Sequence, residues 1–218
     1  MAGAVFAGEI QEAMDSQRIG NVARDRSKPV DTYWDLGFGD KTAIWFAQAV
    51  DGWYRMVDYL EDEGHTIEWD VIQLQQKGYL YGIDWLPHDA VDTIIHAKLG
   101  GGDRSRSIEM LLRGAGRNVR IAPKLRVADR INIGRTMFPQ CQFDQIKCAD
   151  GLQALRRYQW GPLNANNVTG REPLHNDASH GADAFQTFAV CAKQPRVKPK
   201  PSVSTPSREP SGDRSWMA

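Results

Sequence analysis

The chain has 218 residues, 41% of them apolar and 25% charged, with 27 Lys plus Arg set against 27 Asp plus Glu. That balance excludes a disordered chain, a collagen-like fibre and a disulfide scaffold, and zero net charge argues against holding nucleic acid by bulk attraction alone. No apolar run approaches the roughly 20 residues of a membrane span, so no membrane partner is expected, and Glu9, Glu12 and Asp15 rule out a secretory signal.

Phe6, Ile10 and Met14 fall at helical spacing, and a charged linker follows before Pro29. Residues 1–28 therefore read as a lead-in helix and linker that finds no partner in so short a stretch and belongs to something upstream. Residues 32–37 form a first strand, 42–50 a second and 53–60 a third, with Asp51-Gly52 as a two-residue hairpin signal between the last two. A helix follows, capped by Thr66, with Glu68 and Asp70 at its positive end, Ile67, Val71 and Leu74 as its stripe and Gly78 as its stop. Residues 79–86 make a fourth strand closed by Pro87-His88-Asp89. A flexible stretch holds three glycines at 100–102, a helix starts near Ser107, and 118–122 is the fifth strand. Helices over 127–137 and 148–158, a loop or ragged hairpin over 160–174, and a last helix over 179–192 complete a domain spanning 29–192. Residues 193–218, rich in Pro, Ser, Lys and Arg, read as a disordered tail.

Three antiparallel strands that then add parallel strands through right-handed helical crossovers describe a ribonuclease H-like α/β fold, a mixed five-stranded sheet of order 3-2-1-4-5 flanked by helices. The first and fourth strands are then neighbours, about 4.8 Å apart. Asp35 lies inside the aromatic first strand, where an unpaired acid is costly; Asp89 closes the fourth; Asp183 lies near the start of the last helix, one turn after His180. Taken singly they read as a backbone-satisfied acid, a turn residue and a helix-start charge. Together they form an acidic cluster drawn from three distant segments. Such hard oxygen ligands select Mg²⁺ or Mn²⁺, and two ions about 3.5–4 Å apart serve in-line attack on a phosphodiester. His180 is placed to orient water, hold a carboxylate or assist proton transfer.

The segments 31–46, 81–90, 105–112, 141–144, 148–155, 173–175 and 179–185 resemble, in combination, the nuclease domain of tailed-phage terminase large subunits. The resemblance covers about residues 3–192. It implies a metal-dependent endonuclease that cuts concatemeric viral double-stranded DNA during genome packaging, with Asp35, Asp89 and Asp183 as catalytic metal ligands. It further implies a terminase ATPase region, a small subunit and a portal or procapsid as partners, and the cytoplasm of an infected bacterial host as the setting. No Gly-x-x-x-x-Gly-Lys-Ser/Thr phosphate loop occurs here, so the chain is expected to be the nuclease part alone, monomeric when isolated, with its lead-in helix a remnant of the motor. The segment before Pro173, usually rich in Lys and Arg in this family, is here 161–170 without either.

Around this set, Asp40 and Asp177 are candidates for supporting the metal ligands, with a plain turn for Asp40 and helix capping for Asp177 as the simpler readings. Lys124, Arg126 and Arg171 are candidate DNA contacts. Cys141, Cys148, His175 and His180 fit none of the usual zinc spacings, and the cysteines read as reduced thiols. Trp34, Trp45, Trp53, Trp69 and Trp85 read as core. Two rival functions stay open: another ribonuclease H-like enzyme, a junction resolvase or ribonuclease, and a non-catalytic module docking the motor to the portal.

Overall fold

The alternation of large apolar side chains decides the architecture. A computed structural model describes residues 3–37, 41–91, 94–99, 102–162 and 172–192, so Asp40, Arg171 and the tail lie outside the described residues. A two-residue strand β1 (Ile19–Gly20) precedes an antiparallel meander of β2 (Val30–Asp35), β3 (Lys41–Val50) and β4 (Trp53–Glu63). Asp51 and Gly52 both have positive φ, 52° and 86°, as a tight two-residue turn demands. Strand β5 (Tyr81–Leu86) runs parallel to β2, and β8 (Val119–Ile121) runs parallel to β5.

These five strands stand in the order read from the sequence, but the sheet has seven. A further strand, β9 (Cys141–Asp144), joins the β4 edge in parallel, and β1 pairs with β9. Strands of four and two residues are too short for alternation to reveal. A second departure follows β5. Where the glycines suggested a flexible stretch, β6 (Ile94–Leu99) and β7 (Gly102–Ser107) pair as a separate antiparallel hairpin. Gly102 only opens β7, opposite Leu99, and β-branched Ile94 and Ile95 suit the ladder at its other end.

Six α-helices among the described residues flank the strands: α1 (Ala7–Asp15), α2 (Ile67–Lys77), α3 (Ile108–Gly114), α4 (Val127–Met137), α5 (Ala149–Arg157) and α6 (Asp177–Cys191). Trp34, Ile44 and Phe46 point to the face covered by α2 and α3, with Leu74 and Leu112 against them. Tyr33, Ala43, Trp45 and Phe143 point to the other, where Phe6, Leu152, Phe185 and Phe188 pack. Phe6 therefore has a partner after all: its ring lies against Phe138, Tyr158 and Phe185. Met14, by contrast, is 49% exposed. None of the described helices is long and apolar enough to cross a membrane.

Several local readings change. Thr66 has the extended backbone of a cap, but its side chain makes no capping bond; Gly78 does stop α2, at φ 61°. Asp70 stands in the first turn as read but is buried there, and burial together with the charge of Asp62 pushes its carboxyl up to about 7. Trp34 and Trp45 are fully buried, whereas Trp53 is 38% exposed, because it opens β4 directly after the hairpin turn.

The backbones of α5 and α6 come close to the side chains of β3 and β4. A Cβ on Gly151 would stand 2.5 and 2.6 Å from the Trp45 indole and 2.7 Å from the Tyr59 ring. Neither ring has room to move, Trp45 being wholly buried. Gly151→Ala should lower stability by about 2–3 kcal/mol, read as the shift in a urea midpoint; an unshifted midpoint would mean the helix can lift off the sheet cheaply.

Candidate active site

Strand β2 delivers Asp35. Its odd-numbered residues share the face packed by α6: Tyr33 meets Phe188 edge to face with ring centroids 5.1 Å apart, and Asp35 meets His180, whose Nδ1 lies 3.1 Å from Asp35 Oδ2. Helix α6 delivers His180 and Asp183. Asn176, in extended conformation, caps it by accepting from the Ala178 amide at 3.0 Å. Asp177 is thus not the cap; it opens the helix, 73% exposed, with an oxygen 3.8 Å from Lys41 Nζ. All but three residues of α6 are buried, and Trp45 Nε1 donates to the Gly181 carbonyl at 2.8 Å, fixing how deep the helix lies.

One turn beyond His180, Asp183 Oδ1 accepts from Gln186 Nε2 at 3.0 Å and lies 3.3 Å from Arg130 Nη2. Arg130 comes from the first turn of α4, which follows β8. Two carboxylates from segments nearly 150 residues apart therefore share one set of basic neighbours, His180 and Arg130. Burial raises the Asp35 carboxyl; His180, by hydrogen bond and charge, and Arg130 pull it back, while the charge of Asp89 raises it further. Asp183 is pushed up to about 7, first by burial and then by the charge of Asp35, against Arg130, His180 and the bond from Gln186. The direction shows that ionising both acids demands more positive charge than Arg130 and His180 supply.

Asp89 sits on a 3-10 turn (His88–Val91) just past β5, exposed to solvent. With Tyr33 opposite Trp85 in parallel strands, β2 and β5 leave the sheet at the same end, which brings Asp89 to the end that carries Asp35. Among the described residues no three His, Cys, Asp or Glu side chains converge closely enough to hold a metal ion by themselves: Asp35 and Asp183 converge, and Asp89 flanks them. The donor set nonetheless suits a hard divalent cation, being anionic oxygen under-compensated by its surroundings.

A groove of about 160 Å³ continues from this site, lined by Pro87, His88, Lys124, Leu125, Arg130 and Val190. Arg126 is 86% exposed and pairs with Asp129 at 2.8 Å. The Cys141 and Cys148 thiols are buried, donating to the Met137 and Met56 carbonyls at 3.3 Å, and burial raises both. All three cysteines are free thiols.

Two residues of the site escaped the sequence reading. Arg130 shares the inward stripe of α4 with Ile131, Gly134 and Met137, and a charge on such a stripe was the available signal. Gln186 is wholly buried one turn after Asp183, with its Oε1 unpartnered. Asp84 is a different case. Like Asp35 it interrupts an apolar strand, but it points to the opposite face, where Arg117 holds it bidentately at 2.6 and 2.7 Å and Thr32 donates to it.

No family model and no curated protein sequence matches this chain. Solved structures do. The large terminase of a thermophilic bacteriophage superposes with a TM-score of 0.65 at 16% identity over 87% of this chain, and the chain spans 45% of that protein's length. The large terminase nuclease of thermophilic phage G20c, solved with bound cobalt, gives 0.52 at 15% identity over 86% of this chain and 97% of its own; it was also solved with bound magnesium. The P22 large terminase nuclease domain gives 0.58 at 13% identity over 80% and 87%. The chain has the fold of these nucleases, the ribonuclease H-like architecture read from its element order, with two strands added at one edge.

Proposed function

We propose that this chain is a metal-dependent endonuclease that cuts concatemeric viral double-stranded DNA during genome packaging. The observation that carries this is the convergence of Asp35 and Asp183 on His180 and Arg130 at the end of the sheet. Asp35, Asp89 and Asp183 hold two Mg²⁺ or Mn²⁺ ions. Those ions, when bound, supply a water of lowered pKa and compensation for the charge on the departing 3′ oxygen. His180 fixes the Asp35 carboxylate at Oδ2 through Nδ1, and Gln186 fixes that of Asp183 at Oδ1, which leaves Asp35 Oδ1 and Asp183 Oδ2 as the oxygens proposed to take the ions.

Lys124, which lines the groove, Arg126 and Arg171 are the proposed contacts to backbone phosphates. With zero net charge the isolated chain binds DNA weakly. A terminase ATPase region, a small subunit and a portal supply the remaining grip, in the cytoplasm of an infected bacterium.

Supercoiled plasmid incubated with Mg²⁺, Mn²⁺ or Co²⁺ tests the reading, with EDTA as the blank. Nicking and linearisation that need the ion support it. Preferential cutting of a four-way junction or an RNA–DNA hybrid would mark a different ribonuclease H-like enzyme. Absence of both cutting and saturable Mn²⁺ binding would mark a docking module with inert acids.

A further inference from the structure

Arg130 belongs both to the acid pair and to the groove beside it. Its hold on the acids is slack. Arg117 grips Asp84 with two bonds of 2.6 and 2.7 Å, whereas Arg130 approaches Asp183 with one nitrogen at 3.3 Å, and its Nε, shut off from solvent, has no hydrogen-bond partner. A guanidinium carries five donors in a planar fork that matches two oxygens of a phosphate. Here most of that capacity goes unused, beside a groove that also presents Lys124 and His88.

We propose that Arg130 stands as the counter-charge on Asp183 until a divalent ion arrives, and then contacts a phosphodiester of the DNA lying in the groove lined by His88 and Lys124. This rests on the metal-nuclease reading above. Arg130 and the ion are competitors for one carboxylate, so each weakens the other's hold on it. A dication beside Asp183 both satisfies the acid and repels the guanidinium. The fork then finds its better partner in phosphate oxygens, where it compensates charge that grows as the bond to the leaving oxygen stretches.

Competition has a signature that a merely structural role lacks: removing the arginine should strengthen metal binding and weaken cutting. MnCl₂ titrations of the DNA-free chain, followed by electron paramagnetic resonance, and plasmid nicking rates are to be compared for the native chain, Arg130→Met, Arg130→Lys and Asp183→Asn. Arg130→Met keeps the packing of the stem and should bind Mn²⁺ about tenfold more tightly yet nick at least about 100-fold more slowly. Arg130→Lys should bind Mn²⁺ as the native chain does and cut at an intermediate rate, the charge being kept and the fork lost. Unchanged or weaker Mn²⁺ binding by Arg130→Met, or a native nicking rate, would overturn the proposal. If Arg130→Met fails to melt cooperatively, Arg130→Lys decides alone, and native nicking by it overturns the phosphate contact. A native chain that binds no Mn²⁺, or an Asp183→Asn chain that binds it equally well, would instead defeat the metal-nuclease reading itself.

Discussion

Replacing Asp183 with asparagine is expected to lower plasmid nicking by at least about 10³-fold while leaving the melting temperature equal to or above that of the native chain. The two halves of that expectation have one cause. The Asp183 carboxyl is buried beside Asp35 and held at about 7, well above the ordinary value of 3.8. Between those values the folded chain keeps a proton that the unfolded chain has released. The contribution of Asp183 to metal-free stability is therefore fully present below about pH 4 and is lost as pH climbs through 7. Asparagine removes the charge, and with it the slope contributed by Asp183, but also removes the anionic oxygen an ion requires. Melting curves of both chains in EDTA across pH 4–8, beside nicking assays in Mn²⁺, check this directly. An asparagine variant that still nicks, or that melts well below the native chain at pH 8, would show that Asp183 serves the core instead. Asp35→Asn should likewise stop cutting, since His180 would then orient a neutral amide.

Arg117→Met carries the largest expected effect on stability, a loss of about 3–5 kcal/mol. Asp84 is 2% exposed and Arg117 10% exposed. Two charge-assisted bonds join them, Thr32 donates to the carboxylate, Trp34 donates to Thr32 at 2.7 Å, and the guanidinium lies 4.0 Å over the Tyr81 ring. Taking away the cation strands an acid with no water to solvate it. Changing both partners together, Asp84→Leu with Arg117→Met, removes the stranded charge and should recover most of the loss. Guanidinium melts of the two single variants and the pair measure the coupling. A double variant no more stable than Arg117→Met would mean that the network, and not the buried charge, holds β5 in place.

The contrast between Asp35 and Asp84 shows what the sequence could and could not say. Each is an acid inside an apolar strand, and the argument that singled out Asp35 applies equally to Asp84. What separates them is parity: Asp35 follows Tyr33 onto the α6 face, while Asp84 stands opposite Thr32 on the face of α2 and α3. Strand period alone assigns a side chain to one of two faces, and naming the face requires knowing which helices lie where. Signals tied to backbone chemistry were legible at once. The Asp51-Gly52 turn, the left-handed Gly78 and Ser107, which caps α3 by accepting from the Met110 amide, are local events. Strands β9 and β1 were not legible, because so few residues show no period and their pairing is decided wholly by the exposed β4 edge. Arg130 was missed for a related reason. A cation on a buried stripe looks like a flaw in the pattern until the acid it faces, more than 50 residues away, is in view.

The burial of α6 divides the three acids unequally. Asp35 and Asp183 are separated by a span that the sheet and a helix sunk into aromatic packing dictate, so altering it would mean recutting Trp45, Phe185 and their neighbours. Asp89 rides on a four-residue turn, exposed at the surface, in which only Ala90 is buried. Two corners of the triangle are thus fixed by the interior, and the third is adjustable from outside. Whatever reaches that outer turn has mechanical purchase on the proposed metal site without touching its foundations.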